Sequence, residues 1–583
     1  MPALDRLIAA AAGGACALLA ALAPAALGQA GPPPGSYIIE YGSIHHPAVS
    51  RGGMVVSQNV LASRIGAQVL AEGGNAVDAA VATGLALAVT LPRAGNLGGG
   101  GFMLVHLAEP GQTIAIEYYG QAPGAVEPGL LLDDGGRVDR AKRYSFLGAA
   151  VPGTPLGLYE AHQRFGRLDW AAVVEPAIRL AADGIEVTED LAYALGIQRD
   201  WITMDAASAQ ALYKPGAVPY APGERLVQPD LAWSLTQYRD HGATAFYQGE
   251  IADRLVAAMQ ANGGIISYED LAGYQVQITE PLWSTYRGHP MALMPPPASG
   301  VLLAQLMNIL EHFDMAEAGP QSAASLHLVA EATRLVYADR ARVMGGYPHH
   351  EVPVQALLSA DYAAARAALI SVDAPLPAED IRPGLAALEH SPDTTHYSVV
   401  DAEGNAVSNT YTLGSSYGAH VMAPGTGFFL NDAMANFRWN EPPGAPNAPE
   451  PGKRVISTIT PVIVFRDDRP WIVSGTPGGL QIIPAMAQFL VNMIDHGLNP
   501  AEAAARPRVF RGYGDTLDVE PGVSPDTLAV LESMGHVVRQ TLTMGSIQTI
   551  EIGEDALYGA PDTRRPGAGA GIAPPAPAGL PPQ

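Results

Sequence analysis

Residues Ala76 to Thr90 read AVDAAVATGLALAVT, with alanine, valine and leucine on nearly every helical face. Asn75 stands ready to cap this helix, and the helix before it, carrying Val60, Ile65, Val69 and Leu70, ends at Gly73-Gly74. A helix that is apolar all round has to be covered on every side. It therefore belongs at the centre of a layered core. The chain can supply one, since 48% of its 583 residues are hydrophobic. That length suggests roughly three or four domain-sized units.

The first compact element is expected at Ser57. Beyond the central helix, the loop LPRAGNLGGGG (91–101) feeds a strand at Phe102 to His106. Its consecutive glycines invite a phosphate-loop reading, but no GK[ST] follows and they enter a strand rather than a helix. Close backbone packing is the preferred reading. Helical patterns dominate 150–330: Pro155 to Phe165, Trp170 to Ala182, Leu231 to His241, Ile251 to Ala261 and Val301 to His312. The run MPPPASG (294–300) ends a strand before the last of these, and a further helix spans Ala324 to Met344. Strands are expected at Gly427 to Leu430, Pro461 to Phe465 and Trp471 to Ser474, the last ending in GTPGG (475–479), with a helix at Ile483 to His496. The class is α/β or α+β, with β-rich character after residue 394. From Arg564 onward the chain is rich in alanine, glycine and proline and reads as a disordered tail.

A net charge of −24 argues against nucleic acid and against an anionic membrane surface as partner. Residues 1–30 hold Asp5 and Arg6, an apolar run from Leu7 to Leu27, and small residues at Ala26, Gly28 and Ala30. This pattern reads as a secretory signal cut after Gly28 or Ala30, and hence as export to a periplasmic or extracellular space. The run is also just long enough to be an uncleaved anchor. A Pro/Gly linker, Gly31 to Gly35, follows it. The sole cysteine, Cys16, lies inside that run, so a mature protein would have no disulfide, zinc-cysteine site or cysteine nucleophile. His45-His46 and His349-His350 sit in loop-like settings without carboxylates at ligand spacing, which favours solvated or supporting roles over metal binding.

Ser391 to Thr412 carries the chemistry. Two alternating runs, Thr395 to Val400 and Ala406 to Thr412, flank Asp401-Ala402-Glu403-Gly404-Asn405, which reads as a hairpin. If the chain were cut between Asp393 and Thr394, Thr394 would carry a hydroxyl nucleophile and a free α-amine on one residue. The amine can serve as base for the hydroxyl, because it titrates near pH ~8, roughly two units below lysine. On spacing alone the stretch is equally a plain surface hairpin.

Five separated stretches resemble the γ-glutamyltranspeptidase (glutathione hydrolase) family of N-terminal-nucleophile hydrolases. They are GGNAVDAAVA (73–82), AGNLGGGGFML (94–104), MPPPASG (294–300), TTHYSVVDAEGNAV (394–407) and TPGG (476–479), and the likeness runs from about Gly53 to about Pro561. The resemblance implies an α+β fold, a four-layer αββα sandwich, made as a proenzyme that cuts itself between Asp393 and Thr394. The products would be two intertwined subunits: a large one spanning 31–393 and a small one spanning 394–583, with the disordered tail from about 564. No metal or organic cofactor is implied, and the substrate would be a small amide such as glutathione. Thr394 would attack a γ-glutamyl amide and pass the acyl group to water or an amine. Thr412 matches the threonine that holds the nucleophile, and hairpin geometry independently returns it beside Thr394. Gly478 and Gly479 match the oxyanion donors, where a side chain would obstruct the developing oxyanion. Ser457 and Thr458 match the pair of serines that bind the substrate α-carboxylate; on local grounds they are equally strand-edge hydroxyls.

The departures concern recognition. The family pattern resembling DFREMAP reads EYYGQAP (117–123) here, which puts Tyr119 where an arginine clamps the α-carboxylate. A phenol cannot replace a bidentate guanidinium. The aspartate that receives the α-ammonium falls at Asn436, a glutamine or glutamate falls at Ala433, and an asparagine or serine falls at Gly414. The implied nucleophilic machinery is intact while the glutamyl-recognition shell is eroded, a direction taken by acylases of the family acting on glutaryl amides. Arg93, just before the glycine loop, could restore the positive charge from another angle; as a lone loop arginine it is equally a solvated one. The short, proline-rich segment from Phe437 to Arg454 suggests that a lid over the site is missing. A silent binding protein that keeps the fold is the reading of a different class.

Overall fold

The hairpin strands Thr395–Asp401 and Ala406–Thr412 are buried on both faces along their whole length. This is a computed structural model, and it describes residues 46–377, 381 and 393–574. The expected signal or anchor (1–30), the linker, Cys16, His45 and the last nine positions, 575–583, lie outside the described residues. A surface hairpin would keep one wet face. This one is instead the middle of a seven-stranded antiparallel sheet, with the order Ala568–Ile572, Gly53–Ser57, Thr395–Asp401, Ala406–Thr412, Gly100–Leu107, Gln112–Glu117, Gln277–Thr279.

A second seven-stranded antiparallel sheet packs on the first. Its order is Ala48–Ser50, Leu557–Pro561, Gln548–Ile552, Arg469–Ser474, Val462–Arg466, His289–Leu293, Leu282–Tyr286. The period-2 alternation of strands sorts side chains into layers. Met54, Val56, Phe102, Leu104, Val400 and Ala406 meet Ala292, Ile463, Phe465, Val473 and Ile550 between the sheets. Their neighbours Val55, Met103, Val105, Val399 and Val407 face the other way, onto Val60–Ala71 and the all-apolar helix Ala76–Thr90. On the far side, Met291, Leu293, Val462, Val464 and Ile472 face Gly300–Leu310, Ala323–Val343 and Ile482–Ile494. The architecture is the αββα sandwich. Each buried Val or Leu is worth roughly 1.5–3 kcal/mol relative to exposure. A one-residue register slip would exchange the two faces of a strand, so the register is strongly held.

The turn of the hairpin is tied to the central helix. Asp401 accepts backbone hydrogen bonds from Glu403 (3.0 Å) and Asn405 (2.9 Å), and Gly404 takes a φ of +91°. The second oxygen of Asp401 accepts from the N–H of Ala76 (2.9 Å), which supplements the Asn75–Asp78 capping box.

Three sequence expectations are corrected. The first element is not at Ser57: Ala48–Ser50 and Gly53–Ser57 precede it, the latter pairing directly with the hairpin. Gly427 to Leu430 is not a strand, since only the single bridges Gly98–Leu430 and Met422–Phe429 form there. The tail from 564 is ordered through Ile572. Arg564 pairs with Glu520 and Asp562, and Ala568–Ile572 adds an edge strand to the first sheet. The described residues from His46 onward fall into one compact unit rather than three or four. Among the described residues, no helix is long and apolar enough to cross a membrane.

Burial keeps several imidazoles neutral. The pKa values of His396, His420 and His536 are pushed down to about 3, 4 and 3, with desolvation the leading cause in each. The unfolded chain binds those protons near pH ~6.5, whereas the folded chain refuses them until much lower pH. Their contribution is therefore complete above pH ~6.5 and is lost as pH falls. The melting temperature is expected to drop steadily from pH 7 to pH 5 in differential scanning fluorimetry. A flat or rising profile would contradict these burials.

Candidate active site

Pairing of Thr395 with Tyr411 sets Thr394 opposite Thr412 at the open end of the hairpin. Both threonines are buried, and the Thr394 hydroxyl donates to the Thr412 hydroxyl oxygen at 3.2 Å. Thr412 in turn donates to the carbonyl oxygen of Asp393 at 3.1 Å and accepts from the N–H of Gly414 at 2.9 Å. One hydroxyl thus aligns the candidate nucleophile and polarises the carbonyl immediately before it. His396, two residues along the same face, bonds Thr410 (2.7 Å) and Ser398 (3.0 Å) between the sheets. As a neutral ring committed to those partners, it is a structural group.

The glycine pair is delivered by the second sheet. Ser408 donates to the Ser474 carbonyl (2.9 Å), and a Cβ on Gly475 would come within 2.4 Å of the His396 ring. These contacts bring the loop after Arg469–Ser474 to the end of the sandwich where Thr394 lies. Gly478 and Gly479 take φ values of +142° and +56°, conformations that favour glycine. A Cβ on Gly478 would also lie 3.3 Å from the Gly545 backbone. Four glycines, Gly98 to Gly101, serve close packing as expected: a Cβ on Gly98 or Gly99 would meet the carbonyl oxygen of Phe429 or Thr412 at 2.1 Å.

Three recognition candidates form one cluster. The Tyr119 hydroxyl lies 3.4 Å from the Asn436 amide nitrogen and also engages Ser457. Tyr119 is buried and stacks on Phe102 with ring centroids 5.1 Å apart; burial raises its pKa, so the phenol stays neutral. Asn436 donates as well to the Ile456 carbonyl (3.2 Å). The Ser457 N–H donates to the Pro297 carbonyl (3.1 Å) and its carbonyl accepts from the Ser299 hydroxyl (2.6 Å), and Thr458 is buried beside it. Ala433 opens the short turn Ala433–Asn436. A Cβ on Gly414 would lie 2.1 Å from a carboxylate oxygen of Asp432, so the missing side chain has been exchanged for that carboxylate.

The structure adds residues that sequence reasoning passed over. Asp432 is held by Arg143 (2.7 Å) and by the hydroxyl (2.5 Å) and N–H (2.7 Å) of Ser415. Arg454 donates to the Tyr119 carbonyl (2.8 Å) and pairs with Glu117 (3.6 Å). Arg565, inside the supposed tail, pairs with the Asp393 carboxylate at 3.1 Å. Arg93 is not a solvated loop arginine: it is buried and paired with Asp190 at 3.0 Å. Only the adjacent arginines at 564 and 565 offered a local hint.

His349 and His350 are not simply solvated, since they bond the carbonyls of Pro451 (2.9 Å) and Val343 (2.8 Å). Elsewhere, His327, Glu331 and His536 place three donor atoms within 4.8 Å of one another. Arg511 already engages Glu331, and Arg334 lies close by, so the local charge opposes a cation. The segment from Phe437 to Arg454 is short and tied down, with Trp439 bonded to Met434 (2.9 Å) and Asn447 to Asn436 (2.7 Å).

Comparison with known proteins follows the same lines. A family model described as Gamma-glutamyltranspeptidase matches residues 62–572. The chain is 42% identical over 571 residues to the glutathione hydrolase proenzyme of Escherichia coli strain K12, covering 96% of this chain and 97% of that one. It is 39% identical over 518 residues to the acylase ACY 1 proenzyme of Pseudomonas sp. strain V22, covering 87% and 91%. Among solved structures, the cephalosporin acylase from Bacillus halodurans superposes with a TM-score of 0.82 at 28% identity, covering 92% of this chain and 99% of that one.

Proposed function

This chain belongs to the γ-glutamyltranspeptidase family, and on that premise we propose that it is an enzyme that cuts itself between Asp393 and Thr394 and then transfers acyl groups through Thr394. The observation that carries the reading is the relay from the Thr394 hydroxyl through Thr412 to the Asp393 carbonyl. In the precursor, the Thr394 oxygen attacks that carbonyl, the acyl group moves from nitrogen to oxygen, and water hydrolyses the resulting ester. The cut leaves a carboxylate on Asp393 and a free amine on Thr394. The large piece ends at Asp393 and the small piece begins at Thr394. They stay together because each sheet interleaves strands from both sides of the cut.

In the mature enzyme the Thr394 amine takes the hydroxyl proton as the oxygen attacks an amide carbonyl. Backbone N–H groups of Gly478 and Gly479 receive the oxyanion, each donor being worth ~3 kcal/mol. The leaving amine departs with the proton, and water or a second amine then takes the acyl group and regenerates the hydroxyl. Export through the 1–30 segment would place this chemistry outside the cytoplasm, acting on a small amide.

The general donor is a γ-glutamyl-type amide, as the glutathione hydrolase relatives suggest. Tyr119 and Asn436 favour a second reading within the same chemistry, an acylase whose donor lacks the α-ammonium. A neutral phenol and a neutral amide offer ordinary hydrogen bonds where charge-assisted ones are about twice as strong. Release of p-nitroaniline from γ-glutamyl and glutaryl anilides separates the two. The acylase reading expects the larger kcat/KM on glutaryl, and a strong γ-glutamyl preference would reject it. No turnover of either, with no labelling of Thr394 by an electrophilic amide analogue, would leave only a silent binding protein.

A further inference from the structure

Gly478 and Gly479 have no side chains to hold them, so the aim of their N–H groups depends on what packs behind their loop. The Thr476 hydroxyl, two residues earlier, accepts from the Ser546 N–H at 2.8 Å and donates to the Pro477 carbonyl at 2.9 Å. Gly545 presses on the same loop. A Cβ there would lie 2.6 Å from the Thr476 hydroxyl and 3.0 Å from the Pro477 carbonyl oxygen, and its φ is +73°. The stretch 544–547 is thus the backing of the glycine pair.

That stretch is itself gripped by charged side chains. Glu520 accepts from the Met544 N–H and Arg508 donates to the Met544 carbonyl, so both backbone groups of one residue are taken. Asp562 accepts from the Ile547 N–H at 3.0 Å, and its own N–H donates to the Ile547 carbonyl at 2.8 Å. The charges are joined to one another: Arg508 pairs with Asp562 at 2.6 Å, and Arg564 pairs with Asp562 at 3.0 Å and with Glu520. Arg508, Glu520 and Asp562 are each no more than 2% exposed. Stability alone does not call for buried charges here, since well-packed apolar side chains serve at least as well. What charge-assisted bonds add is direction.

We propose that Arg508 and Glu520 are positioning residues for acyl transfer, with Thr476 the joint through which they act. By holding Met544 from both sides they seat Ser546 against Thr476, and so aim the Gly478 and Gly479 N–H groups. This rests on the reading of that glycine pair as the oxyanion donors. Acylation and deacylation both pass through the oxyanion, so a mis-aimed pair lowers kcat whichever step limits. A misplacement of about 1 Å can cost ~10²-fold in rate.

The test measures kcat and KM of processed enzyme on the better of the γ-glutamyl and glutaryl p-nitroanilides. Active sites are counted by labelling Thr394, and the melting temperature is recorded alongside. Thr476→Val keeps the shape and removes the hydroxyl: kcat is expected to fall by about tenfold to hundredfold, with KM within about threefold of wild type. Thr476→Ser should recover most of the loss. Glu520→Gln should lower kcat in the same direction. Combined with Thr476→Val, it should fall well short of the product of the two single effects, because both act through one loop. A purely stabilising network would lower the melting temperature and leave kcat per site unchanged, which would overturn the inference. A loss confined to KM, a Thr476→Ser enzyme as slow as Thr476→Val, or single effects that simply multiply would overturn it too. If Glu520→Gln does not fold, the two Thr476 variants decide. If folded Thr476→Val stays uncut, cutting becomes the readout: a cut Thr476→Ser chain supports the inference and an uncut one overturns it. An uncut or inert wild type would instead refute the functional reading beneath it.

Discussion

Thr394→Ala protein is expected to remain a single uncut chain with no amidase activity. The methyl side chain keeps the fold, since residue 394 sits at the end of a strand whose register is fixed by six other pairs. What it removes is the hydroxyl that the proposed mechanism uses to attack the Asp393 carbonyl, and with it the bond to Thr412. Both reactions fail together, because autocleavage and amide turnover use the same oxygen. Thr394→Ser keeps that oxygen and should still be cut, more slowly. Denaturing gels and a p-nitroanilide assay read both outcomes. Cleavage in Thr394→Ala, or activity without cleavage, would contradict the assignment.

The second large effect is expected at Thr412. Its hydroxyl accepts from Thr394 and Gly414 and donates to the Asp393 carbonyl. Thr412→Val keeps the shape, strands a buried N–H, and removes the donor from a carbonyl that becomes an oxyanion. A lost donor of this kind costs roughly 10²–10³-fold in rate. Cleavage of freshly made Thr412→Val precursor should slow by about that factor, while Thr412→Ser, which keeps the hydroxyl, should stay within about tenfold of wild type. A Thr412→Val precursor that matures at the wild-type rate would show that the Thr412–carbonyl bond is incidental.

Much of this arrangement was legible in the sequence because its signals are local. The Asn75 cap, the all-apolar helix Ala76–Thr90, the glycine-bearing hairpin turn and the opposition of Thr394 and Thr412 all follow from short-range geometry. Strand Gly53–Ser57 was missed because a strand covered on both faces shows no alternation to read. The edge strand Ala568–Ile572 was missed for a different reason. Its small residues resemble linker composition, yet the glycines are needed to seat it: a Cβ on Gly571 would lie 2.4 Å from the Ser50 Cβ, and one on Gly569 would lie 3.0 Å from the Ala48 Cβ. That misreading also hid Arg565. Long-range ion pairs such as Arg565 with Asp393 and Arg143 with Asp432 join residues far apart in the chain and leave no periodic trace.

The recognition residues lie between these cases. Motif spacing located Tyr119, Asn436 and Ser457 separately, and the structure gathers them into one hydrogen-bonded cluster. It could not be read from spacing that Gly414 makes room for the Asp432 carboxylate, or that Arg93 is turned inward onto Asp190.

The most direct measurement is intact mass with N-terminal sequencing of the purified wild-type protein. The account predicts two polypeptides that co-purify, one of which begins at Thr394. A single uncut chain, or a cut at any other bond, would leave Thr394 without its α-amine and would contradict the mechanism.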